Sequence, residues 1–207
     1  MMTPEAFADD FIFRWEDGKS NDPAKTHSMR RNDRGNWTGG AIGAGKLIGS
    51  NHGVTPVALA AYRRVSVDEI SVAVMHALTR PEAARIAIAN YLRSPGFDRL
   101  DWSPLIASVF DFGWGAGPGT SARKLQGLVG VNPDGAIGML TDGATDKYVA
   151  KHGIEETCRR FAAVRLAYYE AVIEAHPEQA ENRNGWRNRT NYFLSGDPEG
   201  WWKRFNA

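Results

Sequence analysis

The sequence predicts an all-α protein, on three observations. A hydroxyl residue directly before proline recurs at Thr3-Pro4, Thr55-Pro56 and Ser103-Pro104. Each pair joins a good N-cap to the residue best suited to the first helical position. Ser66 and Glu69 stand at capping-box spacing. A long periodic run at about 154–175 puts Ile154, Cys158, Phe161, Tyr168 and Val172 on one side of a helix.

The elements follow in order. The first helix starts at Thr3-Pro4, carries Phe7, Phe11 and Trp15 on one face, and meets its stop at Gly18. Residues 19–51 lack periodicity and contain "RGNWTGGAIGAGKLIGSNHG". So long an irregular insert usually carries function, and it has room for a small β-hairpin. Helices resume in "TPVALAAYRR", "SVDEISVAVMHAL" and "RPEAARIAIANYLR". The loop "SPGFDRLDW" precedes another Ser-Pro start in "SPLIASVFDF". A glycine-rich turn, a short helix and a Pro-Asp-Gly turn follow in "GWGAGPGTSARKLQGLVGVNPDGAIG". After the long periodic run comes an aromatic and basic tail, "GWRNRTNYFLSGDPEGWWKRFNA". Trp201 and Trp202 diverge by about 100° if helical, so they cannot share one core. One is expected to be exposed, as a surface anchor, unless the tail packs back and closes the fold. No internal repeat or low-complexity linker is visible. A boundary is expected at 94–101, giving regions 1–97 and 98–207.

The 207 residues, 43% of them hydrophobic, suffice for one domain or two small lobes. With 25 basic and 24 acidic residues, no strong field advertises nucleic acid as a partner. The single cysteine, Cys158, excludes an intramolecular disulfide and reads as a small buried hydrophobe. The five histidines are scattered, so no structural zinc is expected. No stretch reaches the roughly 18 apolar residues of a membrane span. "MMTPEAFADD" has neither the basic nor the apolar region of a standard secretory signal.

Glu16 is the residue whose place raises a question. It stands at the end of the first helix, where the dipole disfavours an anion by about 0.3–1 kcal/mol. That is less than one pKa unit, so burial would have to supply the rest of a raised pKa. The irregular segment after it brings Asp22, Asp33, Thr38, Asn51, His52 and Thr55. A glycosidase needs a protonated carboxyl for the leaving oxygen and a second group for charge or water. Glu16 with Asp33 could provide both. Trp37 could stack on a sugar face, and Trp114, also among glycines, reads as either cleft edge or core. His52 reads as a solvated loop residue or a substrate donor. Asp22 reads as a turn residue of "NDP", and Thr55 equally as a helix cap.

Three motifs, "RWEDGKSNDP", "DRGNWTGG" and "GSNHGVTP", resemble in that order the glycoside hydrolase family 108 muramidases, the type of phage endolysins and secretion muramidases. "FDFGWGAGPGTSARKLQGLVGVNPDGAIGMLT" resembles the predicted peptidoglycan-binding domain that follows in this family. "RRFAAVRLAYYEAV" and "NGWRNRTNYF" resemble its closing helix and Gly-Trp-x-x-Arg ending. The resemblance covers residues 7–193.

It implies a lysozyme-like all-α fold and hydrolysis of the β-1,4 bond between N-acetylmuramic acid and N-acetylglucosamine, with no cofactor and no metal. Glu16 matches the family's catalytic glutamate and Asp33 the aspartate of its Asp-Pro-Gly-Gly element. Asn51, Gly53, Val54 and Thr55 match its Asn-x-Gly-Ile-Thr element. The partners implied are peptidoglycan glycan strands, reached in the periplasm after release by a holin or secretion system. Two departures stand out. Asp17-Gly18 replaces the Gly-Gly after the glutamate, and "NWTGGAIGAGKLI" separates two elements that are usually almost contiguous. Gln126 and Asp134-Gly135 resemble binding-repeat signatures, although turn formation and packing are the commoner roles of such residues.

Overall fold

The computed structural model describes residues 2–16, 20, 22–196 and 200–206. Gly18, the expected stop of the first helix, and Asp17 lie outside these. The fold is all-α and lysozyme-like, with one two-stranded sheet among the described residues. It forms two compact units, Pro4–Asn90 and Tyr91–Ala207, the latter joined by the first three residues. The division falls inside a helical stretch, since α5 (Arg80–Ala87) runs on as π-helix through Ile88–Arg93.

The first unit starts with α1 (Pro4–Phe11), which buries Phe7, Ala8 and Phe11. The rings of Phe7 and Phe11 meet with centroids 5.4 Å apart and planes tilted by 35°, each contributing about 1.5–3 kcal/mol of burial. The helix widens into a π-turn at Ile12–Glu16. After α2 (Pro23–Thr26) the strands β1 (His27–Ser28) and β2 (Ser50–Asn51) pair antiparallel, His27 opposite Asn51 and Ser28 opposite Ser50. Thr55 caps α3 (Pro56–Arg63), with proline at its start as expected.

The next expected helix breaks in two. Ser66 and Glu69 do form the capping box, but only over the 3-10 turn Val67–Glu69. Ile70 then turns extended and buries its side chain. Ser71 caps a new helix, α4 (Val72–His76), by accepting from Val74 N. Two serines five residues apart compete as caps, and both are used. Thr79 caps α5, which lays Ala83, Ala84, Ile86 and Ala87 into the core and packs against α1.

The second unit is built around α6 (Pro104–Ala116), capped by Ser103. Every residue from Pro104 to Gly113 is buried, as expected of a helix apolar on all sides. Around it lie α7 (Pro118–Val129), α8 (Met139–His152), α9 (Ile154–Ala175), α10 (Arg183–Asn191) and α11 (Trp201–Asn206). The long periodic run is α9, but its buried stripe differs from the expected one. It passes through Cys158, Phe161, Arg165, Tyr169 and Ile173, leaving Tyr168 and Val172 part-exposed. Burial and the nearby Glu155 push the Cys158 thiol up to about 12, so it stays protonated.

Arg165 is fully buried because Asp111 of α6 waits for it. Its Nη2 donates to Asp111 Oδ2 at 2.9 Å and its Nη1 to Ser108 Oγ at 2.9 Å. Arg189 of α10 donates to the other oxygen of Asp111 through Nε and Nη2, at 2.9 and 2.8 Å. The tail packs back. Trp201 is fully buried against Tyr192 and Phe193, and Phe205 meets Trp102. Trp202 stays part-exposed. Closure of the fold is therefore the role of this tail helix.

Candidate active site

Every candidate but Trp114 lies in the Pro4–Asn90 unit. Glu16 is part-buried at the end of the π-turn Ile12–Glu16. π-turns are frequent at functional sites.

Asp33 and Thr55 are brought together by one glycine. Asp33 caps the 3-10 turn Arg34–Asn36, its Oδ1 accepting from Gly35 N at 2.8 Å. Thr55 Oγ1 accepts from Ala58 N at 3.2 Å. A Cβ on Gly35 would fall 2.9 Å from Thr55 Cγ2 and 3.3 Å from Asp33 Oδ1. Only a glycine allows so close an approach. Asp33 is exposed, and among the described residues its Oδ2 accepts no hydrogen bond. Each side chain is fixed by a backbone N–H, Asp33 by that of Gly35 and Thr55 by that of Ala58, and a carboxylate held in this way can orient a water or a sugar hydroxyl.

The segment that separates the two motifs in sequence folds away as a hairpin. Trp37 bridges Leu47, Thr38 N donates to Lys46 O at 3.0 Å, and Lys46 N donates to Thr38 Oγ1 at 2.9 Å. Its base is closed where Ile48 N and Gly49 N both donate to Asn36 O, each at 3.0 Å. The chain therefore returns to where it left, and Asp33 still meets Thr55. The expected hairpin is present, beside the separate β1–β2 pair.

Asn51 and Val54 exchange both backbone hydrogen bonds, 3.0 and 2.8 Å, around the two-residue turn His52-Gly53. Both turn residues have positive φ, 51° and 73°, as a type I′ turn requires. Asn51 is fully buried and its Nδ2 donates to Met75 O at 2.8 Å. His52 is 5% exposed. Trp37 is part-buried and its Nε1 donates to Arg31 O at 3.0 Å. Trp114 belongs to the second unit, on α6, with its ring 4.8 Å from that of Tyr91. Burial raises the pKa of Tyr91.

Two histidines escape a sequence reading. His27 and His76 lie 49 positions apart, and His76 Nε2 sits 2.8 Å from His27 Nδ1. Nothing in their local sequence pairs them. Among the described residues, no group of three or more His, Cys, Asp or Glu is placed to hold a metal ion.

Known proteins resemble this arrangement. The family described as Glycosyl hydrolase 108 matches residues 10–117, more than half of the chain and all of the site except its binding-domain candidates further on. The chain belongs to glycosyl hydrolase family 108. Membership makes it a glycoside hydrolase of a muramidase family. The matched span holds Glu16, Asp33, Trp37, Asn51, His52, Thr55 and Trp114. The solved structure of SagA from Brucella abortus is similar, with a TM-score of 0.64 and 24% identity over 94% of this chain and 97% of that one. At that identity the likeness establishes a shared fold for this family-108 chain. No curated protein matches it significantly. Among the described residues, no helix is long and apolar enough to cross a membrane.

Proposed function

We propose that this family-108 hydrolase is an N-acetylmuramidase. It cuts the β-1,4 bond between N-acetylmuramic acid and N-acetylglucosamine, with Glu16 as the general acid. The observation that carries the reading is the match over residues 10–117, which holds a part-buried Glu16 together with the Asp33–Gly35–Thr55 cluster. Glu16 gives its proton to the leaving glycosidic oxygen. The positive charge that develops on the sugar is met by the Asp33 carboxylate, or by a water held between Asp33 and Thr55. Trp37, at the base of the hairpin, offers a ring edge to the glycan strand. The chemistry draws on these side chains alone. The enzyme acts on the wall in the periplasm, and a holin or secretion system provides its export.

Product analysis tests this. Purified Gram-negative sacculi should yield muropeptides with reducing N-acetylmuramic ends by mass spectrometry. Anhydro ends would make the enzyme a lytic transglycosylase, and binding without turnover would make it a wall-binding protein. Glu16→Gln should keep the melting temperature and lose at least about a hundredfold in rate, the usual scale for a general acid. Activity within a few-fold of wild type would remove Glu16 from the mechanism.

A further inference from the structure

His27 and His76 form a hydrogen-bond relay whose direction is set by its end. His27 Nε2 lies 2.9 Å from the carbonyl oxygen of Ile48. A carbonyl only accepts, so Nε2 carries the proton. A neutral His27 then presents a bare Nδ1. His76 Nε2 lies 2.8 Å from that nitrogen and must donate to it. The rings meet edge to face, 4.4 Å apart at 81°. Donation therefore runs from His76 to His27 to Ile48.

The relay ties α4 to the strands that lead to the site. His27 pairs with Asn51 across the β1–β2 ladder. Asn51 Nδ2 donates to Met75 O, the residue next to His76. The end of α4 is thus fastened twice, through neighbouring residues, to the two partners of one strand pair. Ile48 is anchored in turn, because its N–H donates to Asn36 O. From Asn51 the chain needs only the His52-Gly53 turn to reach Thr55 beside Gly35 and Asp33.

We propose that His27 and His76 are positioning residues for glycoside cleavage: their relay, run in the direction that the Ile48 carbonyl sets for a neutral His27, holds the Asn51–Val54 turn, and through it Thr55 against Asp33. This rests on the reading of Asp33 and Thr55 as part of the active site. A doubly protonated His27 donates from both nitrogens, so the 2.8 Å contact then persists only with the opposite direction, His76 carrying its own proton on Nδ1 and accepting at Nε2. Burial holds the pKa of His27 below the ordinary histidine value, against the Ile48 carbonyl, which raises it, and together with the charge of His76, which lowers it further. Among the described residues, His76 is the one titratable group whose charge contributes. A histidine with a lowered folded pKa binds fewer protons folded than unfolded. The stability it confers is complete above its unfolded value of about 6.5 and is lost as pH falls through the folded one.

The test uses the full chain labelled with nitrogen-15 in histidine, and three forms of the enzyme. Long-range proton–nitrogen spectra should show His27 protonated at Nε2 and titrating below an ordinary imidazole. In sacculus hydrolysis, His76→Ala should lower kcat by at least about tenfold, within the range that a 1 Å misplacement can cost, and move the acid limb of the pH profile. His76→Gln should restore the rate, because its amide N–H can donate to His27 Nδ1. An Nδ1–H tautomer at His27 would overturn the proposal. So would a His76→Ala enzyme with wild-type rate and acid limb, or failure of glutamine to rescue. The spectra do not depend on turnover. Loss of the muramidase reading, through an active Glu16→Gln, is therefore a separate outcome from a wrong tautomer.

Discussion

Removing the Asp111 carboxylate should cost the second unit more than any other single polar change. Asp111 takes one guanidinium on each oxygen, from Arg165 and Arg189. The side chains of Asp111 and Arg165 are both 0% exposed, that of Arg189 16%. Asp111→Ala leaves the Arg165 cation in the interior without an anion. It keeps Ser108 O and Oγ, at 3.2 and 2.9 Å, and the faces of Phe112 and Phe193, at 5.2 and 5.5 Å. Among the described residues, its Nε is already buried without a partner. These contacts solvate a charge but cannot neutralise it. Breaking one side of a buried pair costs about 3–5 kcal/mol. For a chain of this size each kcal/mol moves the melting temperature by about 2–4 °C, so a fall of about 10 °C is expected. Asp111→Asn keeps the volume and isolates the charge. Arg165→Met removes the buried cation and leaves Asp111 with Arg189, so it should cost less than half as much as Asp111→Ala. Urea unfolding followed by tryptophan fluorescence reads all three, since Trp114, Trp186 and Trp201 lie in this unit. Asp111→Asn within about 1 kcal/mol of wild type would refute the reasoning. Arg165→Met costing more than Asp111→Ala would refute it too.

Two further predictions concern single positions. Gly35→Ala puts a methyl 2.9 Å from Thr55 Cγ2, so Thr55 must rotate and its cap on α3 is lost. About 1 kcal/mol of stability should go with the cap, and sacculus hydrolysis should fall by at least about tenfold; a wild-type rate would separate Thr55 from the chemistry. Trp201→Ala should cost about 3–5 kcal/mol, read as a lower melting temperature, because its ring is fully buried on Tyr192 and Phe193. A loss of sacculus binding at unchanged stability would instead revive the idea of a surface anchor.

The sequence shows helix starts because caps are local chemistry. Thr55, Ser66 and Ser103, read as caps from the sequence, all accept the backbone N–H groups expected of N-caps. It hides α8 because that helix buries the hydroxyls of Thr141 and Thr145 while Met139 and Leu140 stand 89% and 86% exposed. A search for an apolar stripe reads such a segment backwards. Arg165 deceives in the same way, since a buried arginine is visible only with its distant Asp111 partner. In the site, residue types are legible and their meetings are not. "DRG" and "HGVT" can be singled out as motifs, yet the closure at Asn36 O that reunites them across the insertion is a three-dimensional fact. The His27–His76 contact is more remote still.

The same distinction bears on the region after α6. The residues by which it resembles a binding domain are engaged inside the protein. Gln126 Nε2 donates to Asp134 Oδ1 at 2.8 Å and to Ala136 O at 3.0 Å, while its Oε1 accepts from Gly135 N at 2.8 Å. Gly135 takes a φ of 86°, which only glycine adopts without strain. Asp111 of "FDFGWG" and Arg189 of "GWRNR" are each other's partners, and Trp186 of the latter stacks on Tyr169 at 4.6 Å and 16°. Each signature residue therefore has an internal reason to be what it is. Hydrogen bonds already made to the protein are not free for a glycan. Substitutions at Gln126 and Gly135 should therefore report on folding before they report on binding to the wall.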